Sequence, residues 1–216
     1  MNLATLCMTI PPDTGVAPGQ PAIGDAYAGG FYAGQITISS VLYNLVLSPR
    51  ASGEVLDQPY KTDGKTYAGN TSVNDGKLIQ SNMVATGIDQ FPSQKAVMAL
   101  NIGGFTDWYI PAKEEMEIIY RNFKPTTASN VTTSGTNASS VPPTTANYTT
   151  TAPARTALTD FRSTGTNYLT PDYYYTATQG SSGGLQVHAK RFTTGADSQD
   201  LNGYDYPVRA VRRVAA

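Results

Sequence analysis

The chain has 216 residues, enough for one substantial domain with its own core and a tight fit for two. Charged residues make up 14% and the net charge is -1, so no field arises that would hold nucleic acid or an anionic membrane, and neither is an expected partner. Cys7 is the single cysteine, which excludes an internal disulfide and a cysteine-based zinc cluster, while 20 Gly, 14 Pro and 14 Tyr describe a loop-rich, β-leaning chain with a polar, uncharged surface.

Residues 1–22 carry Pro11, Pro12, Pro18 and Pro21 with Gly15 and Gly19 and no sustained periodicity, so they are expected to form an extended attachment arm without a core of its own. Met1 to Ile10 lacks a basic stretch and breaks at Pro11-Pro12, which makes a poor signal peptide. No apolar run approaches the ~18 residues of a membrane helix. The expectation is a cytosol-folded chain without membrane insertion. From Ile23 the pattern turns β-prone: Phe31, Tyr32, Ile36 and Ile38, then Val41 to Leu47, predict a hairpin turning near Ser39-Ser40. Asp75 to Ala85 and Ser93 to Leu100 follow as short helices, the second started by Pro92-Ser93 and ended by Gly103-Gly104.

Lys113 to Phe123 has the strongest helical period. Met116, Ile119, Tyr120 and Phe123 share one face, and Lys113, Glu114, Glu117 and Arg121 are expected on the others, with Pro111 and the acidic first turn as start signals. Residues 126–152 are mostly Thr, Ser and Asn, with Pro142-Pro143 inside and not a single charge, and read as a long loop or insertion. Pro153 to Arg162 predicts a short helix burying Leu158 and Phe161. Tyr173 to Thr178, Leu185 to Phe192 and Tyr206 to Val214 predict three late strands. Early hairpin, central helices and late strands make the fold class α+β.

Two stretches carry a family resemblance. Gly103-Gly104-Phe105-Thr106-Asp107-Trp108-Tyr109-Ile110-Pro111-Ala112-Lys113-Glu114-Glu115-Met116 resembles the signature of the DUF1566 family, phage and bacterial surface proteins with a C-type-lectin-like fold related to the formylglycine-generating-enzyme type. Tyr174-Tyr175-Thr176-Ala177-Thr178, followed by Phe192, Gly195 and Tyr206-Pro207-Val208-Arg209-Ala210-Val211-Arg212-Arg213, looks like the ending of that family, and Arg121-Asn122-Phe123-Lys124-Pro125 is similar to its tail-fibre members. Ala112 stands in place of the usual Ser or Thr cap, Tyr175 in place of a Trp and Gln179 where a Glu is common. The resemblance implies a C-type-lectin-like domain over 23–216 behind the arm at 1–22. Structural roles are expected for Trp108, Pro111, Glu115, Arg209 and Arg212, with Trp108 in the core. Glu115 is a candidate partner for Arg209 or Arg212, with a solvated arginine as the alternative.

The chemistry considered does not favour an enzyme. Formylglycine-type copper chemistry needs two cysteines, and the nearest match to a calcium-lectin motif, Gln58-Pro59-Tyr60, lacks the carboxylate, so no metal or cofactor is expected. His188 lies in an alternating strand with no triad partner suggested by its flanks, and Glu114-Glu115 or Asp197 with Asp200 are explained by helix polarity and loop solubility. Recognition remains. By resemblance the C-terminal region is the ligand-facing surface, and its candidate binding residues are Tyr173, Gln179, Ser181, Ser182, Lys190, Arg191, Asn202, Tyr204 and Asp205. The expected function is a phage virion adhesin of receptor-binding or tail-fibre type, assembled in the bacterial host and meeting a host surface glycan or protein, with the arm on other virion proteins and a homotrimeric state. The alternative is a capsid decoration or head-fibre protein that clamps its neighbours.

Overall fold

The computed structural model describes residues 19–181, 184–201, 203–204 and 206–216, so residues 1–18 of the expected arm lie outside the described part. The chain is mixed α and β with a curled antiparallel sheet. First come β1 (Ala26–Tyr27), β2 (Gly30–Ile38), β3 (Val41–Leu47), a single turn α1 (Arg50–Gly53) and β4 (Glu54–Val55). Helices α2 (Gly76–Gly87), α3 (Pro92–Met98) and α4 (Lys113–Phe123) occupy the middle. Then follow β5 (Ser140–Val141), β6 (Tyr173–Gln179), β7 (Gln186–Arg191), β8 (Asp197–Leu201), β9 (Val208–Arg209) and β10 (Val211–Ala215).

β2 and β3 form the predicted hairpin. Ile38 pairs with Val41, and Ser39 and Ser40 take φ of 49° and 65°, the pair of left-handed residues with which a two-residue turn follows strand twist. β10 pairs with β3, and Tyr109 bridges Val211 beyond it, so the C-terminal strand lies between the hairpin and the segment that feeds α4. β1 and β5 both pair with β2.

α4 lies against β2 with Met116, Ile119, Tyr120 and Phe123 buried. A Cβ at Gly34 would stand 2.9 Å from Ile118 Cγ2, so glycine there permits the close approach, and Asn122 donates to the Ala33 carbonyl at 2.8 Å. One expectation changes here. Glu117, predicted on a polar face, is 4% exposed because loop 126–152 and β7 cover it. Ala112 offers no capping oxygen, and the first-turn N–H groups are met from elsewhere: Lys113 donates to Thr178 Oγ1 at 3.0 Å and Glu114 to the Val73 carbonyl at 2.7 Å. Glu115 Oε2 accepts from the Ala112 N–H at 2.7 Å.

Segment 126–152 is tied to the body instead of extending from it. β5 adds to β2, Asn137 donates to the Glu114 carbonyl at 2.8 Å, Asn130 donates to the Thr149 and Pro153 carbonyls, and Tyr148 is buried. Its Asn and Ser side chains serve backbone groups, which composition alone does not reveal. The helix expected at Pro153 to Arg162 contracts to a turn over Thr159–Phe161, with Phe161 buried and Leu158 partly so. The last predicted strand divides into β9, which pairs β4, and β10, with the Ala210 N–H donating to the Gly53 carbonyl between them. Trp108 is fully buried among Val46, Ile110, Val208 and Ala210 and donates its indole N–H to the Phe105 carbonyl at 2.9 Å.

Candidate functional site

β6, β7 and β8 form a three-stranded antiparallel sheet whose register sorts the candidate residues. Successive side chains on a strand face opposite ways and directly paired residues share a face. Tyr173 pairs with Arg191, Tyr175 with Ala189, Ala189 with Ser198 and Val187 with Asp200, so these side chains belong to one face. Tyr174, His188, Lys190, Asp197 and Gln199 belong to the other.

The first face carries a column of stacked tyrosines. Tyr206, just before β9, lies 5.3 Å from Tyr173 and 5.4 Å from Tyr204, with planes at 21° and 22°. Such near-parallel rings at this separation are offset-stacked. Tyr175 supports Tyr206 from below at 5.0 Å and donates its hydroxyl to the Leu201 carbonyl at 2.6 Å. The Arg191 guanidinium lies 5.4 Å from the Tyr173 ring, and Tyr204, at the far end, is 48% exposed. Burial raises the Tyr206 phenol pKa, and the charges of Asp200 and Asp172 add to the rise. Asp200 Oδ2 is withdrawn from solvent and has no hydrogen-bond partner.

The other face holds an internal ion network, and it corrects one expectation. Lys190, predicted as a binding residue, is 1% exposed, with Glu117 at 2.5 Å and Asp197 at 2.8 Å. Arg121 reaches Glu117 at 3.2 Å, and the Tyr148 hydroxyl donates to the same carboxylate, its pKa raised by burial and by that charge. Gln179 is corrected as well. It is 3% exposed and accepts the Tyr67 N–H at 3.1 Å, so it joins two segments inside the fold. Ser181 is exposed and bonded to Gln199, while Ser182, Asn202 and Asp205 lie outside the described residues. His188 is half-buried, its Nδ1 is unpartnered, and burial together with Lys113 holds its pKa below the ordinary value.

The structural arginines find partners other than the one expected. Arg209 is fully buried and bonded to Glu54 at 3.2 Å and to the Ser48 carbonyl at 2.9 Å, and burial lowers its pKa to about 10. Arg212 forms a two-pronged pair with Asp107 at 2.7 and 3.2 Å and covers the Phe105 ring. Neither bonds Glu115. Its carboxylate instead accepts the Tyr109 hydroxyl at 2.6 Å and the N–H groups of Ala112 and Gly76. The pairing expectation failed because β9 and β10 run beside β4 and β3, which bring Glu54 to Arg209, while α4 presents Glu115 to the first residue of α2. Pro111 precedes the α4 cap, and its carbonyl accepts the Ala177 N–H at 2.8 Å.

Elsewhere, an apolar cleft of about 350 Å³ opens between β2, α4 and β5, lined by Pro21, Ile23, Ile118, Val141 and Pro142 with Arg121 at its side. Among the described residues no three His, Cys, Asp or Glu side chains converge on a possible metal position, and no helix is long and apolar enough to cross a membrane. Sequence reasoning named Tyr173, Arg191 and Tyr204 but missed Tyr206, Asp172 and Asp200. Tyr206 was visible as the tyrosine opening the last block, while Asp200 lies on β8, a polar strand that leaves no hydrophobic pattern. Comparison of the chain with protein-family models, curated proteins and solved structures finds no match.

Proposed function

We propose that the chain is a non-enzymatic recognition protein: a bacteriophage virion adhesin of receptor-binding or tail-fibre type, with a C-type-lectin-like domain that meets a host surface glycan or protein through its C-terminal face. The observation that carries this reading is the column Tyr204–Tyr206–Tyr173 closed by Arg191. Tyrosine supplies wide amphipathic contact with few rotatable bonds, and rings already stacked lose little freedom when a ligand arrives. The resemblance of the blocks around Trp108 and Arg209 to a surface-protein family supports the lectin-like part of the reading. Co-sedimentation of the labelled chain with bacterial envelopes tests it: the wild type binds host envelopes and Tyr204→Ala loses binding. Equal binding by both chains removes the column from the function.

The second reading, a capsid decoration or head-fibre protein, draws on the apolar cleft between β2, α4 and β5, which lies beside Gln20 and Pro21, where the described chain begins. Cryo-electron microscopy of virions separates the two. An outward-facing column at a fibre tip supports recognition, and a column buried against the capsid lattice supports clamping. Light scattering tests the proposed trimer, and a stable monomer at micromolar concentration overturns it.

A further inference from the structure

We infer that the pocket at the open end of the β2–β3 hairpin is the seat of the chain's own segment Thr14 to Pro18, so that the arm is held against the domain at its root and the residues before it are the ones that reach other molecules. The inference is independent of what the C-terminal face binds.

The hairpin is covered unevenly. By register Gln35, Thr37, Leu42 and Asn44 share one face of β2 and β3, opposite the face whose Ile36, Ile38 and Leu45 are buried with α4. Toward the Leu47 end that outer face is closed, with Tyr32 3% and Val46 0% exposed, and toward the turn it is open, with Leu42 37% exposed. A pocket of about 350 Å³ lies there between Tyr27, Leu42, Asn44 and Ala216. An apolar strand residue left open beside a pocket gains by an apolar cover.

The chain itself leads to that place. Ile23 lines the cleft between β2, α4 and β5, Gln20 and Pro21 line both cavities, and Gly19 lines the hairpin pocket alone. Followed backwards from Ile23, the backbone passes out of the cleft and arrives at the pocket, pinned on the way by Gln20 donating to the Tyr32 hydroxyl. Gly19 turns with φ of 91° at the pocket wall, and Pro18 is bonded to it. Five extended residues span at most about 17 Å, enough to cross a pocket of this size. The chemistry agrees. None of the described side chains lining the pocket is charged, and Thr14-Gly15-Val16-Ala17-Pro18 carries no charge either, the nearest being Asp13. Val16 and Pro18 supply the cover for Leu42 and the Tyr27 ring, and the Gln35 and Asn44 amides can meet backbone groups that the seat removes from water. The same segment of a neighbouring copy would compete with one tethered at the wall, whose effective concentration is on the order of millimolar.

The test is disulfide trapping in the full chain with Cys7→Ser, pairing Leu42→Cys with Val16→Cys or with Ala17→Cys, since a disulfide forms only where two Cα atoms come within about 7 Å. Peptide mass mapping after mild oxidation reads the bond, and a mixture of isotopically heavy and light chains tells a bond within one chain from a bond between two. The expected result is a bond within one chain for at least one pair. It should form about tenfold faster than the same arm substitution forms one with Val84→Cys, an exposed position of α2 outside the pocket lining. Leu42 is exposed, so its replacement should leave the fold intact, and thermal midpoints equal to that of the Cys7→Ser chain check this. If neither pair exceeds the rate of the Val84→Cys control, the inference is overturned. Bonds between heavy and light chains overturn it as well and give the pocket to the arm of a neighbouring copy.

Discussion

Lys190 and Arg191 follow one another on β7, and the two faces of that strand use their charges in different ways. Lys190 is 1% exposed between Glu117 and Asp197, with Arg121 and Tyr148 completing the network, while Arg191 is exposed over the Tyr173 ring. On the inner face the lysine's charge is met on both sides, which ties α4, loop 126–152 and β8 to one point. The other face buries Tyr175, Ala189 and Val187 in the core and is open only toward its margin, where Asp172 and Asp200 have no basic partner among the described residues. A buried charge has to be met inside the fold, because leaving it unmet costs several kcal/mol. A charge at the surface, such as that of the exposed Asp172, needs no partner within the fold, since water holds it.

The largest test of that contrast removes the two neighbours in turn. Lys190→Met leaves the buried Glu117 with the partly exposed Arg121 as its one cation beside the Tyr148 hydroxyl, and is expected to cost about 3–5 kcal/mol in urea unfolding. Arg191→Met gives up an exposed cation–aromatic contact and is expected to cost about 1 kcal/mol or less. Equal costs would show that the inner network is not what binds the three segments together.

A second buried charge sharpens the comparison through pH. Burial pushes the Glu115 pKa from 4.5 up to about 7, against the hydrogen bonds from Tyr109, Ala112 and Gly76 and the charge of Arg213. The folded protein therefore holds this proton more tightly than the unfolded chain. The resulting stability is present below the unfolded value of 4.5 and is lost as pH rises through about 7. The expected loss is on the order of 3 kcal/mol. Urea midpoints across that window, taken as wild type minus Glu115→Gln, isolate the effect, because other titrating pairs cancel in the difference. A difference that stays flat with pH would mean that Glu115 is ionised throughout, held so by its three donors.

What the sequence made legible follows the same division between faces. The hairpin and α4 were readable because a buried face imposes a period: Met116, Ile119, Tyr120 and Phe123 are spaced by the helix turn itself. β8, Asp197 to Leu201, was missed because an edge strand of polar residues carries no hydrophobic signal. Loop 126–152 read as an insertion since its Asn and Ser side chains act on distant carbonyls, a pairing that composition does not encode. The partners of Arg209 and Arg212 were hidden for a related reason: Glu54 and Asp107 are more than a hundred positions away, and only strand pairing brings them close. At the candidate site, alternation alone separates Lys190 from Arg191, but it does not say that both faces are covered, Lys190 on one and Val187 and Ala189 on the other, with Arg191 left exposed at the strand end. The first is covered by α4, and Lys190 was placed outside where the structure puts it inside.

The smallest expected effect on stability falls where the largest effect on binding is expected. Tyr204→Ala removes a half-exposed ring whose described aromatic contact is the stack on Tyr206, so the fold should lose about 1 kcal/mol or less. Trp108→Ala, which empties a fully buried site, should cost about 3–5 kcal/mol by the same unfolding measurement. A ring kept at the surface for recognition is one that the fold does not need, and the ratio of these two costs measures that independence. If Tyr204→Ala destabilises the chain as much as Trp108→Ala does, the column belongs to the core, and the outer face has no spare aromatic surface to offer a ligand.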